Sequence, residues 1–154
     1  MFQTLARERA DAIERIQHRV RSGPDDPFAW TLSLFALGNA TSDWVHLLIW
    51  EGLDWEPPNK MAGDTAALLL ESDRRAFWQS RIAAVRQHQA QRRLPGHLDP
   101  QQLTFFLYVL GLFPYLLPQI AYLITGRWPS DEKFQADFEQ FVRVFADRLS
   151  RAAD

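Results

Sequence analysis

Residues 99–126, DPQQLTFFLYVLGLFPYLLPQIAYLITG, decide the fold. Asp99 followed by Pro100 signals a helix start: a capping carboxylate, then a proline whose missing N–H would have had no partner in the first turn anyway. Gly126 is a matching stop signal. Between Pro100 and Gly126 there is no charged residue, so the stretch predicts one long helix to about Thr125 with no solvated face. By length alone such a helix could cross a bilayer. Pro114, Pro118 and Gln119 within it, the lack of a second such segment and weakly basic flanks favour burial instead, between its own core and a partner subunit. Pro114 deletes the bond to the Leu110 carbonyl and is expected to bend the helix and open space beside it.

Working outward, every other segment also reads as helix or turn. Residues 2–21 set Phe2, Leu5, Ala6, Ile13, Ile16 and Val20 at helical spacing among charges, and Ser22-Gly23-Pro24 ends the pattern. Asp26-Pro27 opens a short helix with Phe28, Leu32 and Phe35 on one face, running to Gly38-Asn39. Thr41 or Ser42 caps a third helix, whose Trp44, Val45, Leu47, Leu48, Ile49, Trp50 and Leu53 leave almost no polar face and predict an interior position. Trp55 to Lys60, with Pro57-Pro58, is the main loop. A fourth helix runs from about Asp64 to Arg93, with a possible break near Ser72, and stops at Leu94-Pro95-Gly96. Ser130 is expected to cap the last helix, which carries Phe134, Phe138, Phe141, Val142, Phe145 and Leu149. With no strand run and no repeat, the expectation is an all-α domain of about six helices spanning residues 1–154.

Composition narrows the function. At 154 residues, 47% hydrophobic and 23% charged, the chain has the makings of one globular core. A formal net charge of −2 is wrong for a surface that must neutralise a row of phosphates, so this chain alone is not expected to bind nucleic acid. It has no cysteine, which removes disulfides and thiolate metal sites, and Met1 to Arg9 has no signal-peptide pattern. Together these suggest a cytoplasmic protein. His18, His46, His88 and His97 are scattered without metal-binding spacing, and Asp43 with His46 supplies at most two ligands. Glu51 and Glu71 read as solvated carboxylates. No phosphate loop, nucleophile elbow or acid–base constellation is present, so neither an enzyme nor a cofactor is expected.

The order and spacing of three segments resemble the C-terminal region of TetR-family transcriptional regulators. Phe2 to Arg21 is similar to the helix that connects to the family's DNA-binding head. Asp43-Trp44-Val45-His46-Leu47-Leu48-Ile49-Trp50-Glu51-Gly52-Leu53 resembles its buried leucine-rich helix, and Gly96-His97-Leu98-Asp99-Pro100-Gln101-Gln102-Leu103 its turn into the penultimate helix. The resemblance covers nearly the whole chain. It implies a helical domain that dimerises through its last two helices and holds a small effector among the middle ones. DNA binding would belong to an N-terminal helix-turn-helix head that these residues do not include. The alternative is a stand-alone dimeric interaction or ligand-binding protein without DNA-binding activity.

Two sets of residues follow from position. An elongated apolar pocket for an apolar or aromatic ligand is expected to be lined by Trp30, Leu34, Trp50, Trp78, Phe105, Tyr108 and Leu112. A homodimer interface is expected at Leu110, Phe113, Leu117, Phe134, Phe138, Phe141 and Phe145, because a helix apolar all round needs a second cover.

Overall fold

In the computed structural model, which describes residues 23–40, 42–54 and 71–153, the described regular structure is entirely helical. Helix α1 spans Pro27–Ala40, α2 Ser42–Asp54, α3 Glu71–Ala90, α4 Pro100–Leu116, α5 Pro118–Thr125 and α6 Glu132–Arg151. The expected connecting helix at 2–21, the loop from Trp55 to Lys60 and the beginning of the fourth helix lie outside the described residues.

The local start signals act as read. Asp26 Oδ1 accepts from the Ala29 N–H at 2.7 Å, and Asp99 Oδ1 from the Gln102 N–H at 2.9 Å, each satisfying a donor that its helix cannot. The last helix differs from expectation. Its N-cap is Asp131, not Ser130, and the Asp131 carboxylate reaches backwards to the Trp128 N–H at 3.1 Å. At the end of α3, Arg92 takes a left-handed φ of 55°, so that the Arg93 N–H reaches the His88 carbonyl at 2.8 Å and closes the helix.

The expected single helix at 100–125 is two helices bent by 87°. Pro114 does not stop α4; the break comes at Leu117, with φ −132° and ψ 66°. The residue before a proline is driven out of helical geometry, and Pro118 removes a second ladder bond one turn after Pro114 removed the first. The helix therefore loses two successive bonds on one side and folds over there. Consequently, no single helix among the described residues is long and apolar enough to cross a membrane.

Helix α4 is the axis of the packing and touches α1, α2, α3 and α5. Its closest neighbour is α1. Thr31, fully buried, has its hydroxyl 3.0 Å from the Pro27 carbonyl and 3.3 Å from the Leu107 carbonyl of α4. Opposite it stands Gly111, where a Cβ would come within 2.8 Å of the Thr31 carbonyl oxygen. One core cluster joins Trp30, Leu34, Val45, Phe77 and Leu112; the other joins Phe28, Val85, Leu94, Leu103, Leu107 and Val142. The turn after α3 is tied down by Gln89 Nε2, which donates to the Pro95 and Leu98 carbonyls at 2.9 and 2.7 Å, and by Ser150 Oγ, which donates to Arg93. His88, buried beside them, has Nε2 3.6 Å from the Asp26 carboxylate, linking the end of α3 to the start of α1.

Helix α2 is less enclosed than its composition predicts. Val45 is buried, and Leu48 and Ile49 pack against the first cluster, but Trp50 and Leu53 are 58% and 71% exposed. Among the described residues α2 packs mainly against α1 and α4, which cover only part of its circumference, and Glu51 pairs with Arg74 of α3.

Candidate functional site

Three helices bring an aromatic group together in the first core cluster. Trp30 of α1 stacks on Tyr108 of α4 at 6.3 Å and meets Trp78 of α3 edge-on at 6.1 Å, while Trp78 and Tyr108 meet edge-on at 4.7 Å. The Arg81 guanidinium lies over the Trp30 and Phe77 rings at 5.2 and 5.5 Å and donates to the Pro24 carbonyl at 2.9 Å. Burial lowers the Arg81 pKa, and the charge of Asp25 opposes that shift. Glu51, read as a solvated carboxylate, instead pairs with Arg74 and links α2 to α3. Burial pushes the Tyr108 pKa up to about 12; Arg74 pulls it down and Glu51 adds to the rise.

Of the seven residues expected to line a pocket, Trp30, Leu34 and Leu112 are sealed in this core, at 2%, 1% and 0% exposure. Trp78 and Tyr108 pack against it from the side. Trp50 and Phe105, in contrast, lie on the outside, Phe105 at 63% exposure. Helical spacing placed Phe105 beside Tyr108 on α4, but the neighbouring helices cover the faces bearing Leu103, Leu107 and Leu112 and leave Phe105 outside. A void beside Trp30, Arg81 and Thr104 has only about 10 Å³, the room of one water.

A larger concavity lies at the bend between α4 and α5. It is a cleft of about 290 Å³, at the lower end of the range for small-molecule sites. The end of α1 contributes Gly38 and Asn39, and α2 contributes Val45 and His46. The bend contributes Tyr115 and Pro118, and the turn before α6 contributes Trp128, Pro129 and Ser130. Gly38 is required here, since a Cβ on it would overlap the Tyr115 ring. The Tyr115 hydroxyl is buried and has no hydrogen-bond partner among the described residues. Its pKa is raised by burial, so it remains a protonated donor. Sequence reasoning missed this cleft, although Pro118 and the Trp128-Pro129 pair in a short turn are signals that could have located it.

The third feature is an apolar face. Among the described residues, Phe105, Phe106, Phe113, Leu117, Tyr122, Leu123, Ile124, Trp128, Phe141 and Val144 are all exposed, and α5 has no buried residue at all. Of the residues expected at a dimer interface, Phe113, Leu117 and Phe141 belong to this face. Leu110 packs against the second core cluster. Phe134 is buried, and Phe138 stacks on Phe35 at 4.1 Å, so α1 has taken these two into the chain's own core. Phe145 lies between them and the surface, meeting Phe28 at 6.1 Å and Phe106 at 6.0 Å. Among the described residues, no cluster of three or more His, Asp or Glu side chains is placed to hold a metal ion.

The architecture is thus an all-helical domain with an aromatic core, a small cleft and, among the described residues, a set of exposed apolar side chains on α4, α5 and α6. The chain is similar to an HTH-type transcriptional repressor from Streptomyces coelicolor, with 26% identity over 103 residues, which are 67% of this chain and 50% of that protein. It therefore spans about half the length of the curated relative it matches. No family model and no solved structure matches it.

Proposed function

We propose that this chain is the effector-binding and dimerisation region of a TetR-like regulator of transcription. The observation that carries the reading is the likeness to half of a transcriptional repressor. In this reading, two copies associate through the apolar face of α4, α5 and α6, and a small apolar or aromatic molecule biases the pair between two arrangements. DNA is then gripped or released by a helix-turn-helix head outside these 154 residues. The net charge of −2 supports assigning the phosphate contacts elsewhere. The exposed apolar side chains support the dimer, because a soluble monomer seldom leaves so large a patch uncovered.

The test is a mobility-shift assay with the product of the whole open reading frame that carries these residues, on the DNA flanking its gene. The expected result is a sequence-specific shift that a small aromatic molecule modulates. A complete product that never shifts DNA would overturn the regulator and favour the stand-alone dimeric protein.

A further inference from the structure

We propose that a small, neutral aromatic molecule binding in the cleft at the α4–α5 bend braces the start of α2 against the turn before α6. As a regulatory device it rests on the reading above; as a binding site it stands on the geometry.

The lining of the cleft grades from inside to outside. Gly38, Val45 and Pro129 are buried at its base, whereas Asn39, His46, Trp128 and Ser130 are exposed at its mouth. Small-molecule sites share this arrangement: the base takes apolar area out of water, and a few accessible polar groups fix the orientation. The aromatic walls stand on fixed supports. The Tyr115 ring lies against Phe35, 5.2 Å between ring centres, and against the bare backbone of Gly38. Trp128 stacks on Tyr122 at 4.6 Å, and its backbone N–H is held by the Asp131 carboxylate. Rings fixed in this way favour a flat aromatic occupant.

Size and charge narrow the choice. A dry cavity of roughly 150 Å³ is enough for benzene, so a cleft of about 290 Å³ takes two fused rings. The mouth offers an amide, an imidazole and a hydroxyl, and among the described residues the lining has no Asp, Glu, Lys or Arg. An ion would lose hydration there with no fixed opposite charge to offset the loss.

The occupant acts on α2. That helix packs mainly against α1 and α4, and Trp50 and Leu53 remain exposed on it. Val45 and His46, near its start, form one side of the cleft, and Trp128, Pro129 and Ser130 form another. A molecule touching both sides adds contacts to a partly enclosed helix, where a few contacts shift populations most.

2-Naphthol, two fused rings with a neutral hydroxyl, is the probe, and naphthalene-2-sulfonate has the same rings with a fixed charge. In saturation-transfer NMR titrations on the intact chain, 2-naphthol should bind and the sulfonate should bind roughly ten-fold more weakly or not at all. Ser130→Trp and His46→Trp, at exposed positions on opposite sides of the cleft, should each weaken 2-naphthol by a similar factor; either decides the matter should the other fail to fold. Gln87→Trp, exposed on α3 outside the lining, should leave binding unchanged. Saturation with 2-naphthol should slow amide hydrogen exchange along α2. Equal affinity for the two probes, undiminished binding in a folded Ser130→Trp or His46→Trp protein, or unaltered exchange in α2 would overturn the proposal. It fails separately from the regulator. A DNA shift by the whole product, with 2-naphthol binding indifferent to both substitutions, removes the cleft and keeps the regulator. Binding lost in both variants and slowed exchange in α2, without any DNA shift, keeps the cleft and removes the regulator.

Discussion

Gly111→Ala tests the crossing on which the packing depends. In an ordinary helix interior, replacing Gly by Ala stabilises by about 0.5–1 kcal/mol, because the unfolded chain loses freedom. At Gly111 the new Cβ would lie 2.8 Å from the Thr31 carbonyl oxygen and 3.1 Å from Leu34 Cβ. The first of these is backbone, so relief requires α1 to move away from α4. That movement would stretch the contact between the Thr31 hydroxyl and the Leu107 carbonyl, now 3.3 Å, and disturb Leu34 and Leu112, which are almost wholly buried. Overpacking of this kind costs about 1–3 kcal/mol. Set against the propensity gain, the expected net effect is a loss centred on about 1 kcal/mol. Gly52 supplies the control: it is exposed, and a Cβ there meets nothing within 4 Å, so Gly52→Ala should gain up to about 1 kcal/mol. Urea unfolding at one fixed protein concentration reads both variants. A Gly111→Ala protein as stable as the wild type, beside a stabilised Gly52→Ala, would refute the close approach of α1 and α4.

Other consequences are simpler to check. Asp99→Ala should destabilise by about 1 kcal/mol in the same urea assay, because the Gln102 N–H loses its acceptor at the head of α4. Tyr108 is raised from its ordinary value of 10 to about 12, so the folded state keeps a proton that the unfolded chain releases. Its contribution is therefore complete below pH 10 and should be lost between about pH 10 and 12, a decline that Tyr108→Phe should flatten in unfolding measurements across that window. The 154-residue chain alone, with a net charge of −2, should give no sequence-specific shift of duplex DNA in a mobility-shift assay even at low salt.

What the sequence made legible was local. Asp26, Asp99 and Gly126 act within one turn of their own position, and each does what its type and spacing imply. The face of α6 that meets α1 was also readable, since Phe134, Phe138, Val142 and Phe145 recur at helical spacing. Which part of that apolar surface would meet the chain itself was not readable. Phe138 is claimed by Phe35, about a hundred residues away, and Phe141 on the same helix is left exposed. The bend was half legible: two prolines announced it, but Pro114 alone leaves enough neighbouring ladder bonds for α4 to continue, and only the second loss at Pro118 breaks it. Trp50 and Phe105 show the limit from the other direction. Apolar composition assigns a side chain to the interior only when other elements cover it, and the described residues leave these two 58% and 63% exposed. The cleft was least legible, because four separate stretches build it and none carries a motif.

The central claim is that the apolar face of α4, α5 and α6 is covered by a second copy, and sedimentation velocity at micromolar concentration tests it most directly. Phe138→Glu would be a poor probe, because Phe138 supports the chain's own core through Phe35. Leu123 and Ile124 are better: they are 75% and 78% exposed on a helix with no buried residue, so changing them leaves the fold of one chain intact. The account predicts that the wild type sediments at twice its 17.9 kDa monomer mass. It also predicts that the paired Leu123→Lys and Ile124→Lys variant is a folded monomer. A soluble, monomeric wild type, or a dimer that the paired substitution leaves unchanged, would contradict it.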